Sequence, residues 1–118
     1  MKSVCVFAGS GTGHRPEYLL AAAGLGRLLA ENRITLVYGG SAAGLMGAAA
    51  DGALKAGGRV IGVMPADLTG IELEHKTLTE LIVTTDMHSR KAKMHQLSDA
   101  FIALPGGIGT FDELFEAL

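Results

Sequence analysis

At 118 residues the chain is long enough for one domain and too short for two ordinary ones. Apolar residues at 48% and charged residues at 19% exclude a disordered chain, and 17 glycines with 3 prolines and no Gly-x-y period exclude collagen. A net charge of −2 without a dense basic stretch argues against nucleic acid as a partner, and the single cysteine excludes an internal disulfide.

The first apolar run, Val4–Ala8, predicts a strand with Cys5 buried inside it. Gly9, Gly11 and Gly13 follow, with Ser10 among them. Pro16–Glu31 predicts a helix, opened by Pro in the first turn and carrying Leu19, Leu20, Ala23, Leu28 and Leu29. Ile34–Tyr38 is a second strand, followed by Gly39, Gly40, Gly44 and Gly47 and an Ala-rich helix over Leu45–Ala56 that stops at Gly57-Gly58. Val60–Met64 and Leu81–Thr84 are further strands, Met87–Leu97 is a helix, and Ala100–Leu104 is a fifth strand. A last helix is expected over Thr110–Leu118, where Phe111, Leu114, Phe115 and Leu118 recur at i, i+3, i+4, i+7. It has no capping residue after it, so the chain reads as one domain, 1–118, incomplete at its C-terminus.

The strand runs are continuous rather than alternating, as in strands covered on both faces, and they alternate with helices. The expected fold is therefore α/β: a doubly wound parallel sheet in a three-layer α/β/α arrangement. The uncharged stretch 34–50 is broken by glycines and changes from β-branched to Ala-rich, so it reads as strand, loop and helix rather than a membrane span. The apolar run after Lys2 is too short for a signal peptide, and the chain reads as cytoplasmic.

Three glycine clusters, at 9–13, 39–47 and 106–109, each follow a strand and precede a helix. Parallel strands bring all three to the carboxyl edge of the sheet, where open α/β folds bind ligands. Glycine there lets backbone N–H groups approach an anion closely, which predicts a phosphate-binding crevice. NAD is disfavoured, because position 14 is His where G-x-G-x-x-G needs Gly, and no acid ends the second strand. The P-loop spacing from Gly39 to Gly44 fails on Leu45, which stands where Lys is required. The four histidines are scattered and read as polar surface or helix residues, and no metal-ligand set or cofactor is expected.

Two segments carry chemistry. Pro105-Gly106-Gly107-Ile108-Gly109-Thr110 is a Gly-rich turn delivering a helix N-terminus suited to a monophosphate, with Thr110 as an added donor. Thr110-x-x-Glu113 also fits a capping box, with Glu113 reaching back to the Thr110 amide, and spacing alone leaves both readings standing. In Met87-His88-Ser89-Arg90-Lys91-Ala92-Lys93-Met94, Arg90 shares a helix face with Met87 and Met94. A charge on an inward face needs a partner; the alternative is a snorkelling Arg90 or a surface pair with Asp86. Met87 and Met94 read as core or pocket wall.

Together the two segments resemble the LOG (Lonely Guy) family, the cytokinin riboside 5′-monophosphate phosphoribohydrolases, also labelled possible lysine decarboxylases. The family's P-G-G-x-G-T-x-x-E and M-H-x-R-K marks are complete at Pro105–Glu113 and Met87–Lys91. The resemblance extends through Val6–Ser10, Leu36–Gly40, Gly44–Gly47 and Gly62–Pro65. Ser41 stands where many members carry a third Gly, and Ala8 replaces a common Cys. Nothing in the sequence suggests a pyridoxal phosphate lysine.

The resemblance implies hydrolysis of the N-glycosidic bond of AMP-type nucleoside 5′-monophosphates, N6-modified cytokinin ribotides included, to free base and ribose 5-phosphate. Glu113 is then the catalytic carboxylate and Arg90 orients the substrate or Glu113. Lys91, Gly107, Ile108, Gly109 and Thr110 hold phosphate, with Gly106, Gly9, Ser10, Gly40 and Met87 lining the nucleotide site. The resemblance also implies a small-molecule nucleotide partner, neither nucleic acid nor membrane, and a homodimer. The runner-up is a non-catalytic nucleotide carrier resembling the molybdenum cofactor carrier proteins.

Overall fold

A computed structural model describes residues 2–7, 16–66, 75 and 77–104. Their elements run β1 (Ser3–Phe7), α1 (Pro16–Glu31), β2 (Thr35–Tyr38), α2 (Gly44–Lys55), β3 (Val60–Pro65), β4 (Glu80–Thr84), α3 (Met87–Leu97) and β5 (Ala100–Ala103). Two of the helices, α1 and α3, have the expected bounds. The other described elements shift by a residue at one or both ends, within the usual fraying of such boundaries. The helix expected over Thr110–Leu118 lies outside the described residues.

The strands form one sheet in the order β4-β3-β2-β1-β5, and every pairing is parallel. Register is set by β1, in which Val4 lies opposite Leu36 on one side and Ala100 on the other. Successive side chains of β1 go to opposite faces, and both faces are covered. Val4 and Val6, with Leu36, Tyr38 and Val60, pack under α1 and α2 through Ala22, Leu29, Leu45, Met46, Ala49, Ala50 and Ala53. Cys5 and Phe7, with Val37, Ile61 and Val63, pack under α3 through Met94. This double cover explains why β1 and β3 are buried along their whole length and read as unbroken apolar runs. The expected three-layer α/β/α sandwich is what the chain forms, and Cys5 is fully buried in its strand as expected.

Helix ends follow local chemistry. Gly57 adopts a left-handed conformation at φ 79°, and Gly58 N–H donates to the Ala53 carbonyl at 2.8 Å, closing α2 with a Schellman motif. The same motif closes α1, where Ile34 N–H donates to Leu29 O at 2.9 Å and Arg33 N–H to Ala30 O at 3.0 Å. There the left-handed position is held by Arg33, at φ 59°. Among the described residues, no helix is long and apolar enough to cross a membrane.

Candidate active site

The strand order sets where a ligand can sit. After β1 the chain builds β2, β3 and β4 on one side of it, then crosses to place β5 on the other side. The switch in direction falls between β1 and β5, and the crevice of an open α/β sheet lies outside the carboxyl ends of the strands at such a point. The two strands end side by side, with Leu104 N–H donating to the Phe7 carbonyl at 2.8 Å. Gly9 and Ser10 follow β1 in sequence; Gly106, Gly107, Ile108, Gly109, Thr110 and Glu113 follow β5. All of these expected site residues lie outside the described residues.

The described half of the site is built around α3. Asp86 is its N-cap, with an extended backbone and a carboxylate Oδ1 that accepts the Ser89 N–H at 2.7 Å. That hydrogen bond is the main reason the Asp86 carboxyl sits below the usual carboxylate range. With Asp86 occupied in capping, a surface pair of Asp86 with Arg90 is not what forms. The Arg90 side chain turns inward instead, onto the sheet edge. Its Nε donates to the Val63 carbonyl at 2.9 Å and Nη2 to the Gly39 carbonyl at 3.0 Å, while Nη1 approaches Met87 Sδ at 3.5 Å. One guanidinium thus spans the carboxyl ends of β2 and β3, its fork geometry matched to two carbonyl groups.

Gly39 and Gly40 make this possible. A Cβ on Gly39 would overlap Arg90 Nη2, so only glycine leaves room for the guanidinium. Gly40 has φ 92°, the left-handed region that L side chains avoid, and a Cβ there would also meet Leu81 and Met64. Lys91 is half-buried beside Arg90. Met94 is core, as expected, whereas Met87 is 43% exposed and is not part of the core.

The structure corrects the reading of the histidines in one case. His75 is neither a surface nor a helix residue but is buried, 8% exposed. Its amide donates to the Gly40 carbonyl at 2.8 Å. Thr77 N–H donates to its Nδ1 at 3.2 Å, which assigns the ring proton to Nε2, and Nε2 lies 2.6 Å from Asp51 Oδ1 on α2. Tyr38 lies beneath the same turn, fully buried, its hydroxyl donating to the Ser41 carbonyl at 2.7 Å. Burial, and secondarily the Asp51 carboxylate, push the Tyr38 hydroxyl above the ordinary tyrosine range, so it stays a donor. A lone histidine carries no spacing signal in sequence, and a place before a parallel strand would by itself suggest the opposite edge of the sheet.

The fold and this edge define a Rossmann-like α/β protein with a carbonyl-anchored arginine at the carboxyl edge of its sheet. Comparison with known proteins narrows the class. The chain is 53% identical over 118 residues to a cytokinin riboside 5′-monophosphate phosphoribohydrolase of Rhodococcoides fascians, covering 99% of this chain and 60% of that protein. A protein of the same name from Arabidopsis thaliana is 48% identical over 117 residues, with 99% and 54% covered. The chain therefore spans little more than half the length of these relatives. Among solved structures, the Moco carrier protein from Chlamydomonas reinhardtii superposes with a TM-score of 0.84 at 28% identity, covering 98% of this chain and 69% of that one. The molybdenum cofactor binding protein from Rippkaea orientalis gives 0.82 at 31% identity, covering 99% and 71%. Residues 46–118 match the profile of the family described as "Possible lysine decarboxylase". The chain belongs to that family, the one its paired motifs resemble.

Proposed function

We propose that this protein hydrolyses the N-glycosidic bond of AMP-type nucleoside 5′-monophosphates, releasing the base and ribose 5-phosphate. The observation that carries the reading is Arg90, anchored by two carbonyl groups at the carboxyl edge and contributed by a complete M-H-x-R-K motif. The names of relatives at 48–53% identity support it. In this reading the phosphate sits against Gly106, Gly107, Ile108, Gly109, Thr110 and Lys91, with Gly9, Ser10, Gly40 and Met87 lining the nucleotide. Cleavage passes through an oxocarbenium-like state, and the Glu113 carboxylate stabilises that charge or activates water. Phosphate and Glu113 at one helix start repel each other, and Arg90 and Lys91 offset the repulsion. The reading includes a single domain acting in the cytoplasm as a homodimer.

The test is base release from AMP, N6-isopentenyl-AMP, GMP and CMP, followed by chromatography. Glu113→Gln is expected to lower turnover by about 100-fold or more while nucleotide binding persists. Arg90→Ala is expected to lower it by about 10- to 100-fold. Unchanged turnover in Glu113→Gln returns that residue to helix capping. The second reading, a carrier without catalysis, is favoured by the superposition on the molybdenum cofactor carriers. Tight nucleotide or cofactor binding with no base released from any of the four nucleotides selects it.

A further inference from the structure

The Arg90 anchor depends on a turn that is itself held from outside the motifs. Gly39 gives its carbonyl to Arg90, and the next residue, Gly40, gives its carbonyl to the His75 amide. His75 reaches this position from the segment leading into β4, 35 residues further along the chain (75 − 40). Its imidazole is the clamp. Nε2 donates to Asp51 Oδ1 at 2.6 Å, tying residue 75 to the middle of α2. Nδ1 accepts the Thr77 N–H at 3.2 Å, tying it to the residues that enter β4. A buried donor held by a carboxylate makes a strong, charge-assisted hydrogen bond.

We propose that His75, fixed by Asp51, is a positioning residue for Arg90: it holds the Gly39–Gly40 turn in the one conformation in which the Gly39 carbonyl receives the guanidinium. Thr77 Oγ1 also lies 3.2 Å from Nδ1, so the three side chains line up like a nucleophilic triad. That role fails on chemistry, because the Thr77 N–H already occupies the Nδ1 lone pair that would have to accept the hydroxyl proton. The device acts instead on the backbone. Gly40 directly follows Gly39 and holds a left-handed backbone at φ 92°. Moving residue 75 therefore moves the 40–41 peptide it bonds, and through it the adjoining 39–40 peptide that carries the acceptor of Arg90.

The kinetic arm of the test rests on the hydrolase reading; a spectroscopic arm does not. His75→Ala and Asp51→Ala are each expected to lower kcat/KM for AMP by about tenfold, with the loss in kcat rather than KM, because positioning of a reacting group is impaired. His75→Gln keeps an N–H donor toward Asp51 and is expected to recover most of that loss. Combined with Arg90→Ala, His75→Ala is expected to add almost nothing, since both changes disable the same guanidinium. In parallel, the Arg90 Nε–H resonance is followed by NMR in the parent chain, Asp51→Ala and His75→Gln. Its position and slow exchange report the bond to the Val63 carbonyl, and it is expected to shift or broaden in Asp51→Ala and to stay in His75→Gln.

Asp51 is exposed, so its variant keeps the question open to measurement even where His75→Ala does not fold. A folded Asp51→Ala with an unchanged Arg90 resonance overturns the proposal, as does a kcat/KM loss that multiplies with that of Arg90→Ala. If the parent chain releases no base, the hydrolase reading falls while the resonance still decides the role of His75.

Discussion

Arg90 shows how one side chain is placed by the absence of another. Its Nη2 occupies the volume in which a Cβ of residue 39 would stand, so Gly39→Ala forces either the arginine or the turn to move. The variant is expected to fold, because the clash is with the end of a flexible side chain. It is expected to lose about as much turnover as Arg90→Ala, roughly 10- to 100-fold, read as kcat/KM for AMP. Retained activity would show that Arg90 works from another position. This residue was legible in the sequence for a physical reason: a charge between two methionines on one helix face must find a partner. What the sequence did not name was the partner, since backbone carbonyls carry no residue identity. His75 was not legible at all, because its contacts with Gly40 and Asp51 come from parts of the chain far apart in sequence.

Among the described elements, α1 and α2 approach each other closely, and two glycines permit it. A Cβ on Gly26 would meet the backbone of Ala49 and Ala53, and one on Gly52 the backbone of Ala23. Backbone cannot step aside as a side chain can, so Gly26→Ala is expected to cost about 1–3 kcal/mol by prising the helices apart. Gly24, on the same helix, has nothing within 4 Å of its added Cβ. There Gly24→Ala is expected to stabilise by about 0.5–1 kcal/mol through helix propensity alone. Denaturant midpoints at constant slope measure both changes, and opposite signs from neighbouring positions are the informative result. The end of α1 offers a third case. Arg33 carries the left-handed turn that glycine carries in α2, so Arg33→Gly is expected to gain about 1 kcal/mol. Sequence marked the α2 end through Gly57 and gave no such mark at Arg33, where the turn is imposed by the Schellman bonds to Leu29 and Ala30.

On the scale of the whole molecule, the two ends of the sheet divide the work. The carboxyl ends of β2 and β3 hold Arg90; at the amino end, β5 is pinned to β1 by a carboxylate. Asp99 Oδ2 accepts the Lys2 N–H at 2.8 Å and the Ser3 N–H at 3.1 Å, and Ser3 Oγ donates to the Leu97 carbonyl at 2.6 Å. The Lys2 bond first, then the Ser3 bond, hold the Asp99 carboxyl below the usual carboxylate range. The unfolded chain has no such bonds and binds its proton at higher pH. Between the two pKa values the unfolded state therefore holds more protons, and stability falls as pH falls through that window. Above it the contribution is complete, and Asp86, lowered by its Ser89 bond, acts in the same sense. Asp99→Asn is expected to lower stability at neutral pH and to leave a shallower acid limb, because one of the two linked carboxylates no longer titrates. Denaturant midpoints from about pH 7 down to about pH 3 trace that limb. A variant curve that runs parallel to the parent curve throughout would show that the Asp99 bonds do not persist in solution. Nucleotide affinity measured on the same samples is expected to stay unchanged, since Asp99 stands at the amino end of the strands, a full strand length from the edge where Arg90 is held.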